Sequence, residues 1–141
     1  IVTTLRTGLV ISKHGGAFAK ILPIFKVGLG GPLGSGKQFW SYISMTDEIR
    51  AIEFLLHAKI SGPVNLTSPQ PLTNREVTKI LAKFLRRPAV LPVPSLALKI
   101  ALGEFSSDIL ASSRVLPERL QQAGFVFAHN DLTSALKAEL S

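Results

Sequence analysis

The first eleven residues, IVTTLRTGLVI, place the strongest constraint on the fold. The run is apolar and β-branched, and a strand of this kind is buried on both faces, as in a parallel sheet whose strands are separated by helices. Such a strand needs neighbours along its edges and cover on both sides. The chain opens on Ile1 rather than Met and shows no signal-peptide pattern. The expectation is therefore the C-terminal part of a longer polypeptide, whose first strand belongs to a sheet encoded upstream.

The 141 residues are one domain's worth of chain, with enough apolar side chains for a core. Lys13, Lys20, Lys26 and Lys99 interrupt every long apolar run, so no stretch reaches the roughly 18 apolar residues of a membrane span. There is no cysteine, which excludes disulfides and thiolate metal sites and fits a reducing compartment; the cytoplasm is the expected location.

The net charge of +7 raises the question of nucleic acid. Its distribution answers otherwise. Basic residues are mostly single, Arg86-Arg87 sits where a helix end favours cations, and no zinc finger or aromatic RNA-binding strand is present. Before Asp47 the chain carries Arg6, Lys13, Lys20, Lys26 and Lys37 and no acid. That asymmetry suits a lobe facing a phosphorylated small molecule; ordinary solvated lysines are the alternative. Neither a nucleic-acid nor a membrane partner is expected.

GGPLGSGKQFWSYI, residues 31–44, contains the GxxxxGK spacing of a phosphate-gripping loop. The context fails. Gln38 stands where the magnesium-binding hydroxyl belongs, Pro32 removes an amide from the cradle, and β-prone Phe39 to Ile43 replaces the helix. Gly28, Gly30, Gly31, Gly34 and Gly36 instead suggest a mobile loop that closes over a ligand.

Short strands alternate with amphipathic helices along the rest. A helix is expected around 17–21, ended or kinked by Pro23, and a strand over 39–43. Ser44 with Asp47 three residues on begins a helix to about Ala58, with Ile49, Ile52, Leu55 and Leu56 as its apolar stripe. Val64 to Leu66 is a brief strand and Ser68 to Pro71 a loop. Thr73 and Glu76 form a capping box for a helix bearing Val77, Ile80, Leu81, Phe84 and Leu85, stopped by Pro88. A strand at 89–91, helices at 95–102 and 104–110, a helix from Pro117 to Gly124, a strand at 125–127 and a helix at 131–140 complete the series.

Catalytic patterns are scarce. His14, His57 and His129 are isolated and lack metal-ligand spacing, and Asp47-Glu48 fits a helix's first turn, where acids meet exposed amides. GxSxG and a GxGxxG between strand and helix are absent.

GGPLGSGKQFWSYISMTDEIRAI, GPVNLTSPQPLTN, RPAVLPVPSLALKIALGE and RVLPERLQQAGF, in that order, resemble the C-terminal half of atypical extended short-chain dehydrogenase/reductases, the epimerase family proteins close to nucleoside-diphosphate-sugar epimerases. The resemblance implies an α/β chain forming the C-terminal portion of an extended Rossmann-type fold. Residues 1–86 would hold the last Rossmann strands with a substrate-binding insertion, and 87–141 a small, mainly helical C-terminal domain. It implies NADP or NAD as cofactor, a small-molecule substrate, and an N-terminal Rossmann segment of the same protein as partner.

The superfamily's Tyr and Lys, four residues apart, exchange a proton with substrate. Here Tyr42 is the only tyrosine and Thr46 stands four residues later, so no catalytic residue is assigned and the chain alone is expected to be inactive. Aligned to the family's strand-to-helix junction, Trp40 takes the place of a pyrophosphate-binding arginine and Ser44 that of a common histidine, which argues against a nucleotide sugar. Lys37, Gln38 and Trp40 are the implied substrate-side residues, with Lys37 meeting an anion or solvent, and Trp40 stacking on a ring or packing inward. Phe39, Ser41 and Ile43 face the other side of that strand. Arg6, Thr7 and Gly8 take the place where the family's chain passes the nicotinamide end, Gly8 allowing either close backbone approach or a simple turn. A truncated interaction module without redox activity is the other reading.

Overall fold

In the computed structural model, which describes residues 2–28, 30–89, 96, 99–100, 103, 112 and 114–140, the opening strand is broken at Gly8. Thr3–Thr7 forms β1 and Leu9–Ile11 forms β2, and the two pair with different partners. After α1 (Gly16–Lys26) come β3 (Phe39–Trp40), β4 (Tyr42–Ser44), α2 (Met45–His57), β5 (Gly62–Leu66), β6 (Leu72–Thr73), α3 (Asn74–Leu85), α4 (Glu118–Gln122) and α5 (Leu132–Leu140). β1 runs parallel to β5 with Thr3 opposite Gly62, β2 runs parallel to β4 with Leu9 opposite Tyr42, and β3 pairs antiparallel with β6. The strand expected at 89–91 and the helices expected at 95–102 and 104–110 fall largely outside the described residues.

The partner change happens where three chain segments touch. The Gly8 N–H donates to the Leu66 carbonyl (3.1 Å), the Leu9 N–H to the Ser41 carbonyl (2.8 Å) and the Ser68 N–H to the Tyr42 carbonyl (2.6 Å). A Cβ at Gly8 would stand 2.4 Å from the Ser41 carbonyl oxygen and 2.9 Å from the Thr67 methyl. Only glycine fits. The expected single strand at 39–43 divides in the same place, because the Ser41 carbonyl bonds across to Leu9 between β3 and β4.

Two apolar clusters form around the strands. Ile11, Trp40 and Tyr42 join Phe18, Ile21, Leu22 and Phe25 of α1, Val77 and Leu81 of α3, and Leu132 and Leu136 of α5. Ile43 joins Ala51 and Leu55 of α2, Val64 and Leu66 of β5, Leu120 of α4, Phe125 and Phe127. The two-residue period of a strand sends Tyr42 into one cluster and Ile43 into the other. α1 runs through Pro23 to Lys26 rather than ending there. An interior proline costs about 3 kcal/mol, whereas each buried Phe, Ile or Leu side chain contributes about 1.5–3 kcal/mol, and four of them on α1 outweigh it.

On α2, Ser44 caps the helix by accepting from the Asp47 N–H (3.0 Å), as its spacing indicates. The expected apolar stripe is partly wrong: Ile49 is 58% and Leu56 77% exposed. Asp47 is the reason. Its carboxylate is fully buried and accepts from the Ala128 and His129 N–H groups (2.9 Å each) and from Arg50 (2.7 Å), which turns the 47, 51, 55 face inward. The capping box at Thr73 and Glu76 is present, and α3 ends at Arg86 in the left-handed conformation. Residues 125–127 form no ladder; Phe125 and Phe127 are buried, with Phe125 edge-on to Phe54 at 5.4 Å and to Phe127 at 4.9 Å between ring centres.

The glycine-rich loop is pinned rather than loose. Leu33 is buried, its N–H donates to Asn74 Oδ1 (2.7 Å) and its carbonyl accepts from Gln38 Nε2 (2.9 Å), while the Arg75 N–H donates to Gly36 (2.9 Å). The absent side chain of Gly30 lets its backbone pack on the Phe25 ring. Gly30 serves contact, whereas Gly28, Gly34 and Gly36 take positive φ.

Gly8→Ala is expected to lower unfolding stability by about 1–3 kcal/mol, the usual cost of overpacking. Thermal or urea unfolding reads it directly, and an unchanged midpoint would contradict the contact.

Candidate functional site

Open α/β sheets receive ligands beyond the carboxyl ends of parallel strands. β1 and β5 end side by side at Thr7 and Leu66. Around that end stand Gly8, Ser41, Thr67, the first turn of α2, and residues 114–117.

Glu48 reaches this end from α2. Thr7 Oγ1 donates to Glu48 Oε1 (2.9 Å), while Oε2 is buried with no hydrogen-bond partner. Burial pushes the Glu48 carboxyl above its ordinary range, with the Thr7 hydroxyl pulling the other way. At the far end of the same strand, the Thr3 hydroxyl donates to the Ile60 carbonyl. α2 and the turn after it therefore run antiparallel alongside β1.

Ser112 and residues 114–119 strap the opposite side. The Phe39 N–H donates to Ser112 Oγ (3.1 Å), the Val115 N–H to Ser41 Oγ (2.8 Å), Asn65 Nδ2 to the Leu116 carbonyl (3.3 Å) and Arg119 to the Pro63 carbonyl (2.9 Å). Thr67 Oγ1 also donates to the Val115 carbonyl (3.4 Å). Arg114 holds its guanidinium 5.8 Å from the centre of the Phe39 ring.

The six residues marked by resemblance occupy two neighbouring positions. Arg6 and Thr7 are exposed at the end of β1, and Gly8 is wedged against Ser41 and Thr67. Lys37 is exposed, its backbone N–H donating to Ser35 Oγ (3.2 Å). Gln38 is buried as the clamp on Leu33, and Trp40, 5% exposed, packs in the first apolar cluster. The two groups meet through the Gly8–Ser41 contact. Local sequence pattern did not reveal the strap, since Ser41 and Val115 are 74 residues apart. Glu48 was visible, but read as one of two first-turn acids; only the fold separates buried Asp47 from Glu48 at the end of β1.

Tyr42 is no proton donor for this opening. Its side chain is 1% exposed, burial pushes the phenol up, and Ser68, Asp131 and Leu132 are its polar surroundings. Thr46, four residues on, is tied to Glu139 through its hydroxyl (2.6 Å). The residues present do not fit a complete dinucleotide either. The turn between β2 and α1 reads SKHG, closed on itself by the His14 N–H donating to Ser12 Oγ (3.0 Å), and the space beside Gly8 is filled by protein. Among the described residues, no three His, Asp or Glu side chains group to hold a metal, and no helix is long and apolar enough to cross a membrane.

Comparison with known proteins agrees with this arrangement. Residues 93–139 match a family described as a domain of unknown function, DUF1731. An epimerase family protein of Mycobacterium tuberculosis is 45% identical over 137 residues, covering 96% of this chain and 46% of the relative. The chain matches the C-terminal part of epimerase family proteins. The chloroplastic epimerase family protein SDR39U1 homolog of Arabidopsis thaliana is 41% identical, covering 97% of this chain and 40% of that protein. The crystal structure of human epimerase family protein SDR39U1 with NADPH superposes with a TM-score of 0.88 at 32% identity, over 97% of this chain and 47% of that one. Thermus thermophilus UDP-glucose 4-epimerase, in complex with NAD, shares the fold at a TM-score of 0.70 and 21% identity, over 98% of this chain and 45% of its own. The chain thus spans about half the length of the epimerase family relatives it matches, corresponding to their C-terminal part.

Because folding raises the Glu48 pKa, the folded state holds that proton more tightly, and stability falls as pH rises from the ordinary glutamate value through the raised one. Glu48→Gln is expected to be more stable than the parent at neutral pH, with the difference vanishing well below pH 4.5. Unfolding midpoints across that range check this, and a difference independent of pH would contradict it.

Proposed function

We propose that this chain is the substrate-binding C-terminal part of an NAD(P)-dependent oxidoreductase or epimerase, with the coenzyme and the proton-transferring Tyr and Lys supplied by a Rossmann segment ahead of it. The observation that carries this reading is the state of β1. Thr4, Leu5, Arg6 and Thr7 are exposed, and among the described residues β5 is the only strand paired with β1. A β-branched strand with an open edge, here TTLRT, is a template for another strand. The family relatives, about twice as long, supply the chain length from which that strand and its glycine turn would come.

The roles of residues follow from where they stand. Arg6 and Thr7, at the carboxyl end of β1, face the incoming coenzyme half, and Gly8 keeps β1 close enough to Ser41 for the substrate wall to adjoin it. Lys37 offers its ammonium to an anionic group on a small-molecule substrate. Gln38 and Trp40 act by fixing the loop and strand from beneath rather than by touching solvent. No hydride or proton step is assigned to this chain, since Tyr42 is sealed in the core.

Calorimetry and thermal shift with NADPH and NADH test the division. The isolated 141 residues are expected to show no saturable binding, and a polypeptide joining them to a coenzyme-binding half of the family is expected to bind. Saturable binding by the isolated chain would overturn the reading.

A further inference from the structure

We infer that Arg114 is an anion-binding residue of the substrate opening, and that it grips the oxyanion of a phosphate or carboxylate group. This rests on the substrate-binding reading above and assigns it a residue outside the loop at 28–37. Three observations converge on it. The backbone directly after Arg114 is held, the Val115 N–H donating to the Ser41 hydroxyl, and the Ser112 hydroxyl accepts from the Phe39 N–H nearby. Its guanidinium lies 5.8 Å from the Phe39 ring centre, within the reach of roughly 6 Å at which an aromatic face orients a cation. Among the described residues, no carboxylate pairs with Arg114, and the side chain is exposed.

The surroundings favour an anion. Lys37, also exposed, stands in the loop two residues ahead of β3, and no acidic residue occurs in the chain before Asp47. A guanidinium stacked on a ring keeps its N–H edge available, and that planar fork matches two oxygens of a phosphate or carboxylate as an ammonium does not. Trp40 points into the core. The strap thus brings a cation to the face of the strand that Trp40 does not serve, since Phe39 meets Arg114 and Ser41 meets Val115.

The test uses the 141-residue chain with inorganic pyrophosphate and malonate as phosphate and carboxylate probes, followed by backbone amide chemical shifts. A saturable shift confined to Phe39, Arg114, Val115 and Lys37 is expected with at least one probe, and the probe preferred tells which oxyanion the site takes. Arg114→Gln should weaken it about tenfold or more, as loss of a charge-assisted pair does. Arg114→Lys should recover only part, and Lys83→Gln, on the exposed side of α3, should leave it unchanged. Shifts that spread over the lysines, or that survive Arg114→Gln, overturn the proposal. Because pyrophosphate binding is read separately from NADPH binding, failure here leaves the division between coenzyme and substrate halves to its own test.

Discussion

The architecture depends on the close approach of backbone at Gly8. There, β1 hands the chain from β5 to β4, and the Ser41 carbonyl, the Thr67 methyl and the Gly8 backbone occupy a space that a methyl group would fill. Without that approach, β1 and β2 could not serve two sheets, and the apolar clusters on either side would lose their common wall. The same contact sets the carboxyl ends of β1 and β5 against Ser41, whose hydroxyl holds Val115 and hence the strap. Fold and opening share one hinge of packing.

Around it, buried polar groups act as connectors. Asp47 accepts two backbone N–H groups from residues 128 and 129 and an arginine, so the C-terminal segment is fastened to the start of α2. Asn74 and Gln38 fasten the glycine loop from two sides through Leu33. Glu48 differs from these: one oxygen takes the Thr7 hydroxyl and the other stays buried without a donor. Burial raises the pKa of the Glu48 carboxyl, which makes the end of β1 responsive to acid.

Much of this was legible in the sequence where the signal is local. The caps at Ser44 and Thr73, the helices they begin and the strand at Val64 to Leu66 follow from side chains within a few residues of one another. The failures are those of local reading. Pro23 does not end α1, because tertiary burial outweighs a lost hydrogen bond. Ile49 and Leu56 are exposed, because a distant segment turns the helix through Asp47. The glycine at 30 looks like freedom in sequence and is close packing in space. Of the opening itself, Arg6 to Gly8 and Lys37 to Trp40 were marked only through family resemblance, and Arg114 lies beyond any periodic pattern because its aromatic partner is far away in the chain.

The proposed division of labour between this chain and a coenzyme-bearing half rests on the open edge of β1, and amide hydrogen exchange on β1 tests it most directly. The account predicts that the β1 amides not bonded to β5 exchange rapidly in the isolated chain and become protected when the chain is joined to a coenzyme-binding half. Equal protection of those amides in both forms would contradict it.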